Sequence, residues 1–213
     1  MTIIVGQANT LLPGYASLLA SVANWMNRTD LAAVIPDFVL IAEANISRDL
    51  RLRKQITSTT LTTSAGVRGT LLPTDWLEFE NVSLLTAPER QLTYAPVEHL
   101  DSVYPNNGYS GIPSLYTIEG DSILFGPTPD GIYTVSILYY ARFPTLVTAS
   151  TNWLLSNHPS VYLYACLIQA CLFLKDAKRA ADYKGLYAEV VANLQSQDDR
   201  AQHSGSSLRV RTI

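Results

Sequence analysis

Between Pro159 and Lys175 the chain sets Val161, Tyr162, Leu163, Tyr164, Ala165, Cys166, Leu167, Ile168, Ala170, Cys171, Leu172, Phe173 and Leu174 almost without interruption. A proline at the first turn of a helix forfeits no hydrogen bond, so Pro159 reads as a helix start. The helix that follows has no polar side, and a helix apolar all round must be covered all round. Each large apolar side chain left in water forfeits roughly 1.5–3 kcal/mol. Two arrangements meet that demand: the chain's other helices surround this one, or they cover one face and a neighbouring subunit covers the other. The apolar run, Tyr162 to Leu174, is too short to span a bilayer and contains Gln169, so no membrane partner is expected.

Helical spacing recurs at both ends of the chain. Leu18, Leu19, Val22 and Met26 mark a helix from Tyr15 to Met26, closed by Asn27-Arg-Thr-Asp30. Pro36 opens a second helix with Phe38, Ile41, Ala42, Ile46 and Leu50 on one face, completing an αα-hairpin. Arg48, Arg51, Arg53 and Lys54 gather at its end, where cations complement the helix dipole. A last helix is predicted from Ala177 to Gln197, with Tyr183, Leu186, Tyr187, Val190, Val191 and Leu194 as its apolar stripe. Between the helical parts the pattern switches to strands. Thr57–Ser64 is rich in β-branched residues, Leu71–Leu84 reads as two strand pieces around a Pro-Thr-Asp corner, and Arg90–Tyr94 can pair with them. Pro96–Asp101 can form a short helix. Ser114–Glu119, Ser122–Phe125 and Ile132–Arg142 are further strands, separated by turns at Gly120-Asp121 and Pro129-Asp-Gly131. In the last of them Tyr133, Val135, Ile137 and Tyr139 alternate as one buried face.

The expected fold is therefore α+β. A helical bundle, made of the N-terminal hairpin and two C-terminal helices, carries an inserted antiparallel β-domain of five to six strands and an extended C-terminal tail. The boundaries fall at 1–55, 56–144, 145–200 and 201–213.

Composition narrows the function. A 213-residue chain that is 47% hydrophobic and 15% charged has ample material for a core, and its net charge of −3 argues against a protein that grips nucleic acid along one face. Leu18–Ala23 lacks the positively charged lead of a signal peptide and follows Pro13-Gly14, so synthesis and retention in a cytoplasm are expected. Cys166 and Cys171, five apart on a helix, point different ways and read as buried free thiols. His99, His158 and His203 are scattered, and neither cysteine lies in a metal-binding spacing, so no metal is expected. Neither a Gly-rich phosphate loop nor a Gly-x-Ser-x-Gly elbow is present. Glu78 and Glu80 share a strand face and read as solvated, because Trp76 and Phe79 already give that strand a packing role. No catalytic residue, cofactor or small-molecule substrate is expected, and the chain does not read as an enzyme.

Order and spacing then carry a resemblance. Trp25-Met-Asn-Arg-Thr-Asp-Leu31, Ala42–Leu50, Leu72-Pro-Thr-Asp-Trp-Leu-Glu78, Tyr116–Gly131, Tyr139-Tyr-Ala-Arg-Phe-Pro144, Thr151-Asn-Trp-Leu-Leu155 and Tyr162-Leu-Tyr164 together resemble the head-to-tail adaptor family of tailed bacteriophages, of the podovirus type, from about Tyr15 to Arg200. The resemblance implies a structural protein of the virion neck, assembled in the host cytoplasm. It implies a homo-oligomeric ring, usually of twelve copies, that joins the portal protein to the tail tube or nozzle proteins and continues the DNA channel. Double-stranded DNA would pass without specific binding, and the acidic balance suits a lumen that does not hold phosphate. Family tails reach the portal. Here the alternating Leu208, Arg209, Val210, Arg211, Thr212 and Ile213 are the residues that charge and alternation assign to that contact. Tyr162, Tyr164, Phe173, Tyr183 and Tyr187 are the candidates for packing subunit against subunit. The competing reading is a tyrosine-rich carbohydrate- or receptor-binding module of a tail component, in which Tyr133, Tyr139 and Tyr140 of the sheet, with Tyr162 and Tyr164 of the helix, would form an aromatic platform.

Overall fold

The computed structural model describes residues 12–105 and 108–202. The fold is α+β, with its long helices on either side of the strands in sequence and one short helix among them. Two compact units result: one is Arg53–Arg142, and the other is made of the described residues on either side of it, 12–52 and 143–202.

In the helical unit, α1 (Tyr15–Met26) buries Leu18, Val22 and Met26. It stops at Asn27, which adopts the left-handed conformation that Asn tolerates and returns its N–H to the carbonyls of Ala23 and Asn24. Helix α2 (Ile35–Asp49) buries Ile35, Phe38, Val39, Ala42 and Ile46. Ile41, placed by its spacing on the inner face, is instead 47% exposed, because Val39 takes the core position one step around the helix. After the middle unit come two short helices, α4 (Leu146–Ala149) and α5 (Trp153–Asn157), then α6 (Pro159–Phe173) and α7 (Ala177–Gln202). Packed against α1, α2, α5 and α7, the apolar α6 is the central element of its unit. Val161, Tyr162, Leu163, Ala165, Cys166, Leu167, Ala170 and Cys171 are buried along it, so most of its surface is covered within one chain. Cover fails at its end, where Leu172 and Phe173 are exposed. Helix α7 runs past the expected stop at Gln197, and Leu186, assigned to its apolar stripe, is exposed; Ala180 and Leu194 are its buried residues.

The middle unit holds β1 (Ile56–Thr62), β2 (Gly69–Leu71), β3 (Trp76–Leu84), β4 (Arg90–Gln91), β5 (Thr93–Tyr94), the short helix α3 (Val97–Val103), β6 (Ser110–Gly111), β7 (Leu115–Glu119), β8 (Ser122–Gly126), β9 (Thr128–Pro129) and β10 (Thr134–Ala141). Instead of a single antiparallel sheet there are two four-stranded sheets, ordered β1-β10-β3-β4 and β2-β8-β7-β5, and the small pair β6-β9. Two pairings are parallel, β5 with β7 and β6 with β9. The division arises at Leu92, whose side chain is buried and whose N–H donates to the Val82 carbonyl. On one side of it Arg90–Gln91 pairs with β3, and on the other Thr93–Tyr94 pairs with β7. Strand β10 turns Val135, Ile137 and Tyr139 inward, where they join Val82, Leu84, Ile123 and Phe125 in one core shared by both four-stranded sheets. Gly126 is where helix α3 closes on β8. A Cβ there would sit 2.4 Å from Leu100 Cδ1 and 2.9 Å from Tyr104 Cδ2.

Candidate functional site

Where the chain re-enters the helical unit, side chains of distant segments hold it in place. Asn152 is the N-cap of α5: its side-chain oxygen accepts the Leu155 N–H at 2.9 Å, relieving one of the unpaired donors that open any helix. Its side-chain nitrogen donates to the Pro144 carbonyl at 2.9 Å and to the Tyr162 hydroxyl at 2.7 Å. From α2, Glu43 Oε1 accepts the Leu146 N–H at 2.7 Å, and its second oxygen is buried without a hydrogen-bond partner. Burial holds the Glu43 carboxyl above the usual carboxylate range, only partly offset by that N–H. The Tyr15 N–H closes the set by donating to the Ser150 carbonyl at 2.7 Å.

Part of the helical unit's surface is aromatic and apolar. Tyr164 stacks on Tyr183 across α6 and α7, with ring centroids 6.4 Å apart and planes 23° from parallel. Trp25 of α1 meets the same Tyr164 edge-on at 6.3 Å and is 52% exposed. Phe173 leans on Phe38 at 5.5 Å yet remains 55% exposed. Leu40, Ile41, Leu172 and Leu186 add further exposed apolar area. Beside this lies a groove of about 400 Å³ between α2, α6 and α7, with Ala165, Ile168, Leu172 and Ala181 in its lining and Arg48, Asp49 and Lys184 at its charged positions. A second concavity, sharing Asp49, Lys184 and Tyr187 with the first, continues along α7 past Ala188 and Val191.

The five tyrosine and phenylalanine positions picked as interface candidates separate once placed. Tyr162 is corrected: at 1% exposure, with its hydroxyl held by Asn152, it is a core residue with no surface to offer. Burial raises its pKa, as it does that of the neighbouring Cys166 thiol. Tyr187 is half-buried and donates its hydroxyl to Asp49 Oδ2 at 3.2 Å; burial first, and Asp49 second, push its pKa up. Tyr164, Tyr183 and Phe173 lie at the surface described above. Leu208, Arg209, Val210, Arg211, Thr212 and Ile213 lie outside the described residues. Trp25, Leu40 and the groove escaped sequence reasoning. Trp25 stands in the sequence as part of the Trp25–Leu31 motif, with no signal that it is exposed, and a groove between three helices has no local signal.

Among the described residues, no group of three or more His, Cys, Asp or Glu side chains is placed to hold a metal ion. Both cysteines are buried and free. Glu78 and Glu80 are exposed; Glu78 faces Tyr140 across the sheet, and Glu80 is the residue skipped at a register shift between β3 and β10. In the middle unit Tyr139 is packed inward and donates to Asp75 Oδ1 at 3.0 Å, while Tyr133 donates to Asp130 Oδ1 at 2.5 Å. Among the described residues no helix is long and apolar enough to cross a membrane. A protein-family model described as SU10 adaptor protein matches residues 13–211. No curated protein matches the chain.

Proposed function

The chain belongs to the SU10 adaptor protein family, structural adaptors of bacteriophage virions, and from that premise we propose that it forms a ring, of twelve copies, joining the portal to the tail. The ring sits in the neck of the particle, assembles in the host cytoplasm and continues the channel through which double-stranded DNA passes without specific contacts. In this reading the segments 1–55 and 145–200 form the helical domain that packs copy against copy. The domain 56–144 faces the tail tube or nozzle proteins, and the tail 201–213 reaches the portal through Leu208–Ile213. The supporting observation is the exposed aromatic and apolar area of the helical unit: Trp25, Tyr164 and Tyr183 are in ring contact, and Phe173 is exposed beside Phe38, aromatic groups of the kind that subunit interfaces favour. Charge agrees as well. With Arg209 and Arg211 removed from the total of 15 Lys and Arg against 18 Asp and Glu, the body carries 13 − 18 = −5, so the basic tail stands out from an acidic ring wall that repels phosphate.

Light scattering on the purified protein, alone and mixed with its portal ring, tests this reading. A ring-sized mass with portal present, lost when the chain is truncated before Ser204, is the expected result. A protein that remains monomeric with portal present, with or without its tail, overturns it.

A further inference from the structure

A cyclic ring needs two different, complementary patches on each copy, because a head-to-tail contact uses one surface to give and another to receive. The helical unit carries such a pair. Trp25 projects from α1 as a half-exposed indole braced by Tyr164. The groove between α2, α6 and α7 is floored by small and aliphatic side chains and carries Lys184 and the ion pair of Arg48 with Asp49 at 3.2 Å. From these we infer that Trp25 of one copy seats in the α2/α6/α7 groove of the next. The inference rests on the ring reading above and adds to it which surfaces meet.

Three observations choose this occupant. The first is size: a groove of about 400 Å³ belongs to the class that takes a bulky group, not a flat contact. An indole at 52% exposure also still has on the order of 100 Å² to bury. Chemistry comes next, since Trp is the aromatic ring that cations favour most and the groove carries Lys184, with Arg48 paired to Asp49 beside it. The third is placement. Trp25 reaches α7 through Tyr164 and Tyr183, whereas the groove opens beside Ala181 and Lys184. At about 100° per residue, the α7 residues that line the groove run from Tyr187, about 40° around the helix from Tyr183, through Lys184 at about 100° to Ala181 at about 160°. Knob and hole therefore flank α7 on different sides. That arrangement lets one contact repeat around a ring instead of stopping at a two-fold dimer.

Complementary single defects test the pairing. Trp25→Ala removes the knob, and Ala181→Trp fills the groove; both positions are exposed, so neither change touches the core. Wild type, each variant and an equimolar mixture of the two variants are measured by light scattering with and without portal ring. Circular dichroism confirms the fold of each, and Lys184→Glu serves as a second groove variant that leaves packing intact. The expected result is a ring for wild type and at least a tenfold loss of assembly affinity for each variant alone. The mixture should give a one-to-one heterodimer, because it retains one intact knob and one intact groove. If the variants assemble as wild type does, the knob-and-groove contact is overturned and the ring reading stands. Folded variants that fail alone and give no heterodimer overturn the contact in the same way. Wild type that stays monomeric with portal present overturns the ring reading, and this inference with it.

Discussion

Asn152→Ala is the perturbation whose cost can be worked most closely from the structure. Asn152 is 7% exposed and makes three hydrogen bonds: from Leu155 N–H, to the Pro144 carbonyl and to the Tyr162 hydroxyl. Alanine ends the N-cap of α5, a loss of about 1 kcal/mol for a helix of ordinary exposure. It also strands the Tyr162 hydroxyl inside the core, and a buried polar group without a partner costs about 1–3 kcal/mol. The Pro144 carbonyl adds little, because Pro144 is exposed and water can replace the amide. Together these come to about 2–4 kcal/mol. Tyr162→Phe removes only the hydroxyl and leaves Asn152 its other two bonds, so it should cost about 1 kcal/mol. With Phe at 162 there is no hydroxyl to strand, and Asn152→Ala should then cost about 1 kcal/mol less than in wild type. Urea denaturation followed by far-ultraviolet circular dichroism measures all four corners of this cycle on the full chain. A cost for Asn152→Ala below about 1 kcal/mol, or additive single changes, would refute the reasoning that Asn152 binds three separate segments together.

Glu43→Gln should flatten the dependence of stability on acid. Burial raises the folded-state pKa of Glu43 above its unfolded value, so its contribution is greatest below the unfolded value and is lost as pH rises through the folded one. Glutamine keeps the acceptor for Leu146 N–H without the charge, and urea midpoints from acid to neutral pH should lose that slope; an unchanged slope would place the titration elsewhere. Tyr139, pushed up to about 12 by burial and by Asp75, should resist ionisation in an ultraviolet titration after the exposed tyrosines have titrated. Its stabilising contribution should be lost between pH 10 and about 12, and Asp75→Asn should move its titration downward. Gly126→Ala should destabilise the middle unit by about 1–3 kcal/mol through overpacking, since its Cβ would overlap Leu100 and Tyr104. A thermal melt unchanged by that substitution would mean that α3 can withdraw from β8 at no cost.

Periodicity and turn chemistry determined the class of element along most of this chain. Leu18, Val22 and Met26 repeat at helical spacing and end at an Asn that takes up the left-handed turn. Pro36 and Pro159 stand in the first turns of α2 and α6, and the alternation of Val135, Ile137 and Tyr139 identifies the inner face of β10. These are local preferences, set by neighbours within a few residues, and a sequence carries them openly. Sheet membership was decided otherwise. Thr93–Tyr94 leaves the strand it continues and pairs in parallel with β7, because burying Leu92 between the two sheets outweighs continuing one ladder. Tyr162 and Tyr164 show the same limit at the surface. Two residues apart on one helix, they have equal claims from composition. One is sealed against Asn152 and the other lies beside Trp25, a difference that depends on what α1, α5 and α7 place over each. Sequence order also carried the family resemblance, since the motifs are spread along one line. The groove between α2, α6 and α7 joins residues more than a hundred positions apart, and only the packing of three helices brings them together.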